Sequence, residues 1–271
     1  MDRLVALLRR IDAYLDAAPG GSATATDVGP LRAFVSRAPF PFYARPRPDL
    51  DLSAPDAVTP EDVRRAAAVL SDAGQAVSFE WVEQLVPSLR PALVGAGFAV
   101  ASHPLLALDL TDREGGAPAG PRLLEPRSPD LPAALAVSEV GFAAAGTGSG
   151  AQGRVERDAA VVGAALLDHV TTRMRTGRSV VAVLDDPVDG VVATGWHQPI
   201  GATTEVVGVA TLPSHRRRGA AAAVVELLLD DARRRGCTLA LLSASDDAVA
   251  RVYEHVGFTR VGSCGAAEPS G

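Results

Sequence analysis

Three arginines and a glycine stand between a strand-like segment and a long apolar run. The residues up to Leu212 alternate as a strand does, Arg216–Gly219 follow, and an Ala/Val/Leu run begins at Ala220. The first N–H groups of a helix have no partner inside it, and the helix dipole favours negative charge there, so such a junction can hold an anion. Gly219 would let the backbone approach the anion closely, and the arginines would neutralise its charge. The pattern predicts a pyrophosphate cradle without a lysine.

Two other interpretations of the arginines stay open, a solvated helix start and a contact with nucleic acid. The formal net charge of −6 argues against nonspecific binding of nucleic acid, because phosphate contacts need a basic surface. Arginines at a helix N-terminus oppose the helix dipole, which favours a compensating anion. A second pattern, Gly148-x-Gly150-x-x-Gly153, formally fits a dinucleotide motif. It follows a helix and not a strand, so we interpret it as a mobile loop.

The composition excludes several kinds of chemistry. All 26 basic residues are arginine and there is no asparagine, which excludes lysine phosphate loops, Schiff bases and N-glycosylation. Cys237 and Cys264 offer neither a disulfide framework nor a paired metal knuckle. The histidines lack metal-ligand spacing, and no function is assigned to His103, His169, His215 and His255. We expect no metal, no hydrolase motif and a reducing, cytoplasmic setting.

The length of 271 residues corresponds to about two domains. No apolar run approaches the roughly 18 residues that cross a bilayer. The first segment, Met1–Leu15, has the spacing of an amphipathic helix and is too interrupted by charge for a signal peptide. We therefore expect no membrane association.

Hydrophobic periodicity and turn residues predict the elements that position the cradle. In the second half they predict a short strand at 122–124, a helix at 130–142, a glycine-rich loop and a helix at 157–175. Next come strands at 179–184, 190–197 and 204–212, the cradle, a helix to Arg235, a strand at 238–243, a helix at 246–255 and a closing strand after Phe258. This order indicates an α/β fold with a mixed sheet.

In the first half, the sequence predicts a shorter series of helices and strands. It contains a helix at 1–15, a proline-rich segment at 38–48, a helix at 63–73, a strand at 76–82, a helix at 88–94 and two strands broken at His103-Pro104. The predicted domains are 1–112 and 121–271, joined by a linker at 113–120. Gly74 lies 24 residues before Phe98, and Gly236 lies 22 before Phe258, with a strand and a helix between them. This echo indicates a duplicated unit, although a chance match would look the same.

The cradle at Arg216–Ala221 resembles the Arg/Gln-x-x-Gly-x-Gly/Ala motif of the GNAT (GCN5-related N-acetyltransferase) superfamily. The family's later pattern is matched from Ala248 to Phe258, with Tyr253 in the tyrosine position, although Asp246 stands where asparagine is usual. The resemblance covers about residues 121–265. It implies a GNAT acyltransferase fold, a first half that is a degenerate second copy, and acetyl-CoA as cosubstrate. The implied cofactor contacts are Val209, Ala210, Thr211, Arg216, Arg217, Arg218, Gly219, Ala220 and Ala221.

Acetyl transfer to an amine needs a base and an acid, and the resemblance implies one residue for each. Glu205 is the candidate base, on a strand face that it shares with Val207 and Val209 by two-residue alternation. Tyr253 matches the tyrosine that stands near the thioester sulfur as general acid in many members. The alternatives are a solvated carboxylate at Glu205 and a core aromatic at Tyr253.

Two further residues, Trp196 and His197, stand at the end of the middle strand and are candidates to line the acceptor pocket. Packing at a strand edge is the alternative interpretation of this pair. The glycine-rich loop at 148–153 is expected near the acceptor site.

The expected function is transfer of acetyl from acetyl-CoA to an amine of a small molecule or peptide, by direct attack. The alternative is an inactive module that binds CoA or senses a small molecule. The first copy should not bind CoA, because its helix opens with Thr59-Pro-Glu-Asp, which removes an amide and adds acids. It is expected to help wall the acceptor pocket. The sequence leaves the oligomeric state open.

Overall fold

The computed structural model describes residues 3–113, 115–116, 118–144 and 146–270. It divides into two compact units. The N-terminal unit comprises the chain up to Leu106, the short segment Ser243–Ser245 and the chain from Arg260 onward, and the C-terminal unit comprises Ala107–Leu242 and Asp246–Thr259. The domain boundaries drawn from the sequence stay a prediction.

The helices are α1 (Arg3–Ala17), α2 (Pro60–Asp72), α3 (Leu89–Gly95), α4 (Leu131–Ala143), α5 (Arg154–Ala159), α6 (Ala164–Arg175), α7 (Ala220–Arg234) and α8 (Asp247–Glu254). The strands are β1 (Ala23–Val28), β2 (Leu31–Ser36), β3 (Ala44–Pro46), β4 (Phe79–Val82), β5 (Phe98–Asp109), β6 (Arg122–Leu123), β7 (Val180–Asp186), β8 (Gly190–Ile200), β9 (Thr203–Thr211), β10 (Leu239–Ser243) and β11 (Thr259–Pro269). Short 3₁₀ turns lie at Glu83–Leu85 and Pro213–His215.

In the N-terminal unit the strand order is β1-β2-β3-β4-β11-β5. The β3–β4 pair is parallel, and β11 pairs antiparallel with β4 from Cys264↔Val82 to Ala267↔Phe79. Phe79 and Trp81 of β4 are buried in a core with Val63 and Leu70 of α2. The last strand of the chain is therefore part of the N-terminal unit.

In the C-terminal unit the order is β10-β9-β8-β7-β6, with β9 and β10 parallel and the other pairs antiparallel. Leu131 of α4 and Met174 of α6 pack with Val181 and Trp196 on one face of the sheet. The other face holds α7, whose Val224 and Leu228 side chains lie against Gly195 of β8. This mixed sheet with helices on both faces confirms the predicted fold class.

Two predicted elements differ from the structure. The helix expected at 157–175 is two helices, α5 and α6, because residue 160 is extended and Gly163 begins α6 with an extended backbone. The strands expected to break at His103-Pro104 form one strand, β5. Proline has a φ that a strand accepts and loses only its donor, and the Pro104 carbonyl still accepts from Ala244 N at 3.0 Å.

Among the helices of the described residues, none combines the length and the apolar character that crossing a membrane requires.

Candidate functional site

Strand β9 carries a bulge in its middle. Trp196 faces Val207 and Thr194 faces Ala210, so Gly208 and Val209 together oppose Gly195. Gly208 has φ +63°, and a Cβ there would lie 2.8 Å from Cζ3 of Trp196. Only glycine satisfies both the left-handed backbone and the close approach of the indole.

The bulge changes which side chains share a face. Thr204 reaches His197 on the α7 side, so Glu205 and Val207 lie on the opposite face, where Val207 packs beside Trp196. Beyond the bulge, Cγ2 of Val209 lies on the α7 side, 3.2 Å from the Cβ position of Gly195. The prediction that Glu205, Val207 and Val209 share one face is therefore wrong for Val209, because strict alternation does not continue through a bulge.

The parallel pair β9–β10 separates partway along its length. Its register runs from Thr203↔Leu239 to Glu205↔Leu241 and extends no further in the described chain. Beyond Glu205, β9 continues to Thr211 with its backbone groups paired on the β8 side. Its other edge is a row of donors and acceptors on which an extended chain containing amides can pair.

The cradle turn, here defined as residues 212–219, connects the end of β9 to α7. Arg217 has φ +67° and Gly219 has φ +80°, so two left-handed residues lie in an exposed turn. Backbone turns with left-handed residues are a common setting for anion binding by N–H groups. No heavy atom lies within 4 Å of the Cβ position of Gly219. Helix α7 then runs 15 residues from Ala220, and within the described chain no side chain caps its N-terminus. Its first N–H groups are thus available to an anion.

The three cradle arginines point in different directions. The guanidinium of Arg216 lies inward and donates to backbone carbonyls, including Gly141 O at 2.7 Å. Arg217 and Arg218 are exposed, and Arg218 also donates to Ser214 O at 3.3 Å. Of the three side chains, those of Arg217 and Arg218 are therefore exposed to solvent, and that of Arg216 is not directed there.

A buried hydroxyl lies at the entrance to the cradle. Thr211, the last residue of β9, is 8% exposed, and its Oγ1 has no hydrogen-bond partner among the described residues. An unpaired buried hydroxyl costs about 1–3 kcal/mol, so a ligand group that paired with it would recover this free energy. Thr211 is one of the predicted cofactor contacts, and its Oγ1 can both donate and accept a hydrogen bond.

The two predicted proton-transfer residues both lie in the C-terminal unit. Glu205 is half-buried where β9 and β10 separate. Tyr253 of α8 is half-buried against the edge of Phe258, with ring centroids 6.1 Å apart, and burial raises the pKa of its hydroxyl to about 12. Because its pKa is about 12, this hydroxyl is protonated at neutral pH. Within the described residues nothing accepts a hydrogen bond from it. Their catalytic roles stay predictions.

The two predicted acceptor-pocket residues point to opposite faces. Trp196 packs in the α4 and α6 core, whereas His197 is fully buried on the α7 side. Its Nδ1 lies 2.9 Å from Thr204 Oγ1, and its Nε2 lies 2.9 Å from Asp231 Oδ2. Thr204 is also fully buried, so this Thr–His–Asp series exposes no nucleophile. The geometry of His197 is that of a structural cross-link, and its contact with an acceptor stays a prediction.

One histidine meets two carboxylates that are distant in sequence. Nε2 of buried His215 lies 3.3 Å from Asp189 Oδ2 and 3.8 Å from Asp186 Oδ2, and in the described chain these three residues are grouped closely enough to share a cation. The contact between the imidazole and the Asp189 carboxylate gives the shorter of these distances without a cation. Sequence spacing does not show this group, because the aspartates lie in the β7–β8 turn and the histidine in the cradle turn.

Comparisons with known proteins agree with this geometry. Residues 155–258 match the model of the acetyltransferase (GNAT) family. No curated protein matches the chain. Among solved structures, a GCN5-related N-acetyltransferase from Kribbella flavida has 22% identity and a TM-score of 0.71, over 98% of this chain and 96% of that one.

Two further structures have the same fold. A GCN5-related N-acetyltransferase from Sphaerobacter thermophilus has 16% identity and a TM-score of 0.58, over 98% of this chain and 90% of that one. A tandem GNAT protein from the clavulanic acid biosynthesis pathway has 18% identity and a TM-score of 0.53, over 89% and 79%. The chain therefore has a tandem GNAT fold, and its C-terminal part is a domain of the acetyltransferase (GNAT) family.

Proposed function

We propose that the protein is an acetyl-CoA-dependent N-acetyltransferase that acetylates an amine of a small molecule or peptide. The observation that carries the proposal is the uncapped N-terminus of α7, which directly follows the half of β9 that separates from β10. A chain with a pyrophosphate at one end and amides along its length matches this pairing of an anion site with an open strand edge.

The residues present fit this cosubstrate. The open space at Gly219, the exposed Arg217 and Arg218, and the orphaned hydroxyl of Thr211 would hold it, together with backbone groups of 209–211. Acetyl-CoA would supply an activated acyl group and a thiolate leaving group. The wall of this site is built from β9 and the first turn of α7.

The chain's own residues would move two protons. Glu205, acting through a water molecule, would take the proton that the attacking ammonium must lose. Tyr253, which burial keeps protonated, would donate a proton to the departing thiolate. The amine nitrogen would form its bond to the acyl carbon as the carbon–sulfur bond breaks, and it would then lose its second proton to solvent. Glu205 would release the first proton to solvent and Tyr253 would take one back, so one proton is released overall for each ammonium that is acetylated.

The corresponding helix of the first copy, α2, is less suited to bind an anion at its N-terminus. This helix is already capped: Thr59 Oγ1 accepts from Asp62 N at 3.3 Å, and Thr59 N donates to Asp62 Oδ2 at 2.9 Å. Pro60 removes another donor, and Glu61 adds negative charge. We propose that CoA binds only at α7.

Calorimetric titration with CoA tests the cradle. Gly219→Val should weaken binding more than about tenfold, because its Cβ and methyls would fill the open space and oppose the left-handed backbone. Gly236→Val is the matched control, since Gly236 follows the other end of α7 with φ +85° and equally free surroundings. Unchanged affinity in a folded Gly219→Val protein would remove the assignment.

Release of free thiol from acetyl-CoA in the presence of a panel of amines separates the enzyme from the alternative module. Thiol release that depends on one class of amine is the expected result. Tight CoA binding with no thiol release under any amine would favour a binding or sensing module.

A further inference from the structure

The side chain of Arg216 uses all of its donors on the protein's own backbone. Nε donates to Thr211 O at 3.3 Å. Nη1 donates to Gly146 O at 2.9 Å and Gly148 O at 3.2 Å, and Nη2 donates to Gly141 O at 2.7 Å and Ala144 O at 3.0 Å. A guanidinium has five N–H groups, so none is left for a ligand.

These five acceptors belong to three separate parts of the C-terminal unit. Gly141 and Ala144 lie at the C-terminal end of α4, where the last carbonyls have no partner inside the helix and a cation is favourable. Gly146 and Gly148 lie in the glycine loop, here defined as residues 146–153. Thr211 ends β9, immediately before the cradle turn.

The glycine loop also bonds directly to the cradle turn. Gly150 N donates to Pro213 O, and Ser214 N donates to Gln152 O, both at 3.0 Å. A Cβ on Gly150 would lie 3.0 Å from Pro213 Cβ, so the loop closes this tightly only with a glycine there. The loop that the sequence predicts to be mobile is thus fastened to the turn that shapes the anion site.

We propose that Arg216 is a positioning residue that fastens the glycine loop and the end of α4 to the cradle turn, and that its charge does not contact the bound anion. This inference rests on the proposed function for the identity of the anion. Arg217 and Arg218, whose side chains are exposed, supply the ligand-facing charge. Lysine cannot replace Arg216, because one ammonium with three donors does not span five carbonyls in three segments.

Hydrogen exchange on the full chain without CoA tests the fastening. In Arg216→Lys the amides of Gly150 and Ser214 should exchange more than about tenfold faster than in the wild type, since the loop opens locally. Arg218→Lys is the matched control and should leave both amides unchanged. Wild-type exchange rates at Gly150 and Ser214 in Arg216→Lys would overturn the proposal. If that variant does not fold, Arg216→Gln is measured in its place against the same criterion.

CoA titration at two salt concentrations tests where the charge acts. Arg216→Lys should weaken CoA binding by a similar factor at both concentrations, because it alters the shape of the turn and keeps the charge. Arg218→Gln should weaken binding mainly at low salt. If Arg216→Lys retains wild-type affinity while Arg216→Gln loses it in a salt-dependent way, Arg216 is a direct charge and the proposal is wrong. If the wild type itself does not bind CoA, the proposed function fails, and the exchange rates still decide the role of Arg216.

Discussion

Arg217 holds a backbone conformation that its side chain does not favour. Its φ of +67° costs an L-residue other than glycine about 1–2 kcal/mol, and such strain persists where the surrounding structure needs the conformation. Here the left-handed residue lies in the exposed turn that leads into Gly219 and the uncapped start of α7. The arginine triplet thus divides into an inward anchor at 216, a strained turn residue at 217 and an exposed charge at 218.

Arg217→Gly separates the charge of this residue from its conformation. Glycine adopts the left-handed φ without strain, and the relief of about 1 kcal/mol offsets the entropy that glycine gains in the unfolded chain. We expect stability to urea within about 0.5 kcal/mol of wild type and CoA affinity lowered several-fold at low salt. A CoA affinity that is unaltered at low salt would show that the Arg217 guanidinium does not face the anion.

The proposed roles of Glu205 as base and Tyr253 as acid predict how substitutions at these residues change kcat. Glu205→Gln and Tyr253→Phe each remove a proton-transfer group and little volume, so each should lower kcat by about 10²–10⁴ while CoA affinity stays within a few-fold. Because the pKa of Tyr253 is raised to about 12, its hydroxyl stays protonated and should cause no alkaline loss of rate below about pH 11. A loss of less than tenfold in either variant would argue for a structural role at that position.

At the scale of elements, the sequence predicts the order of helices and strands well in the C-terminal unit, where most of them carry a clear periodicity. In the N-terminal unit it assigns no strand to β1, β2 or β3. Strand–turn–helix at 204–234 is the strongest case, since an alternating strand, a glycine and an apolar helix follow one another without interruption. The sequence does not predict the bulge at Gly208, because a glycine inside a strand does not reveal on which face the next residue lies. The sequence also does not predict which way the Arg216 side chain points, since its partners on α4 and the glycine loop are backbone carbonyls, which every residue carries.

A buried histidine cross-links two strands and a helix. His197 of β8 bonds Thr204 of β9 and Asp231 of α7, and Arg235 also donates to Asp231 at 2.5 Å. The pKa of His197 is lowered overall. Burial lowers it, and this effect is larger than the increase caused by the hydrogen bond to Asp231 and by the charge of Asp231. For Asp231, burial acts to raise the pKa, but the hydrogen bonds from His197 and Arg235 outweigh it and lower the pKa.

Stability should therefore depend on pH through His197. Its folded pKa lies below the 6.5 of the unfolded side chain, so on acidification the unfolded state takes up the proton first. The stabilisation is fully present above about pH 6.5 and is lost as the pH falls through the folded value. Asp231 loses its contribution only below pH 3.8, outside this window.

Urea unfolding of the C-terminal unit at pH 7.5, 6.5 and 5.5 measures this dependence. The free energy of unfolding should fall over this range in the wild type and fall less steeply in His197→Gln. His255→Gln is the control, because His255 is exposed. Equal slopes in all three proteins would show that His197 does not set the acid limb of stability.

At the scale of the whole molecule, the two units repeat one arrangement. In the N-terminal unit β3 and β4 are parallel and α2 lies between them in the chain, and in the C-terminal unit β9 and β10 are parallel and α7 lies between them. The echo of glycine spacings that indicated a duplication therefore has a structural counterpart. The repeats differ at the start of this helix, since α2 begins with a satisfied cap and α7 does not.

The last strand, β11, belongs to the N-terminal unit although it follows the C-terminal unit in the chain, so the two units cannot be separated by one cut. Residues 264–267 of β11 pair with β4, so the N-terminal unit needs both ends of the sequence. A single cut before residue 107 would leave this strand without its β4 partner. An unpaired apolar strand edge is a template for aggregation.

Two fragments test this arrangement. The fragment 107–271 keeps the strand and loses its partner, so it should aggregate in light scattering and size-exclusion chromatography, whereas 107–259 lacks the strand and should aggregate less. Both retain the cradle turn and Thr211, so the soluble material of each should bind CoA within about threefold of the full chain. Equal solubility of the two fragments would show that pairing with β4 is not what keeps the last strand from self-association.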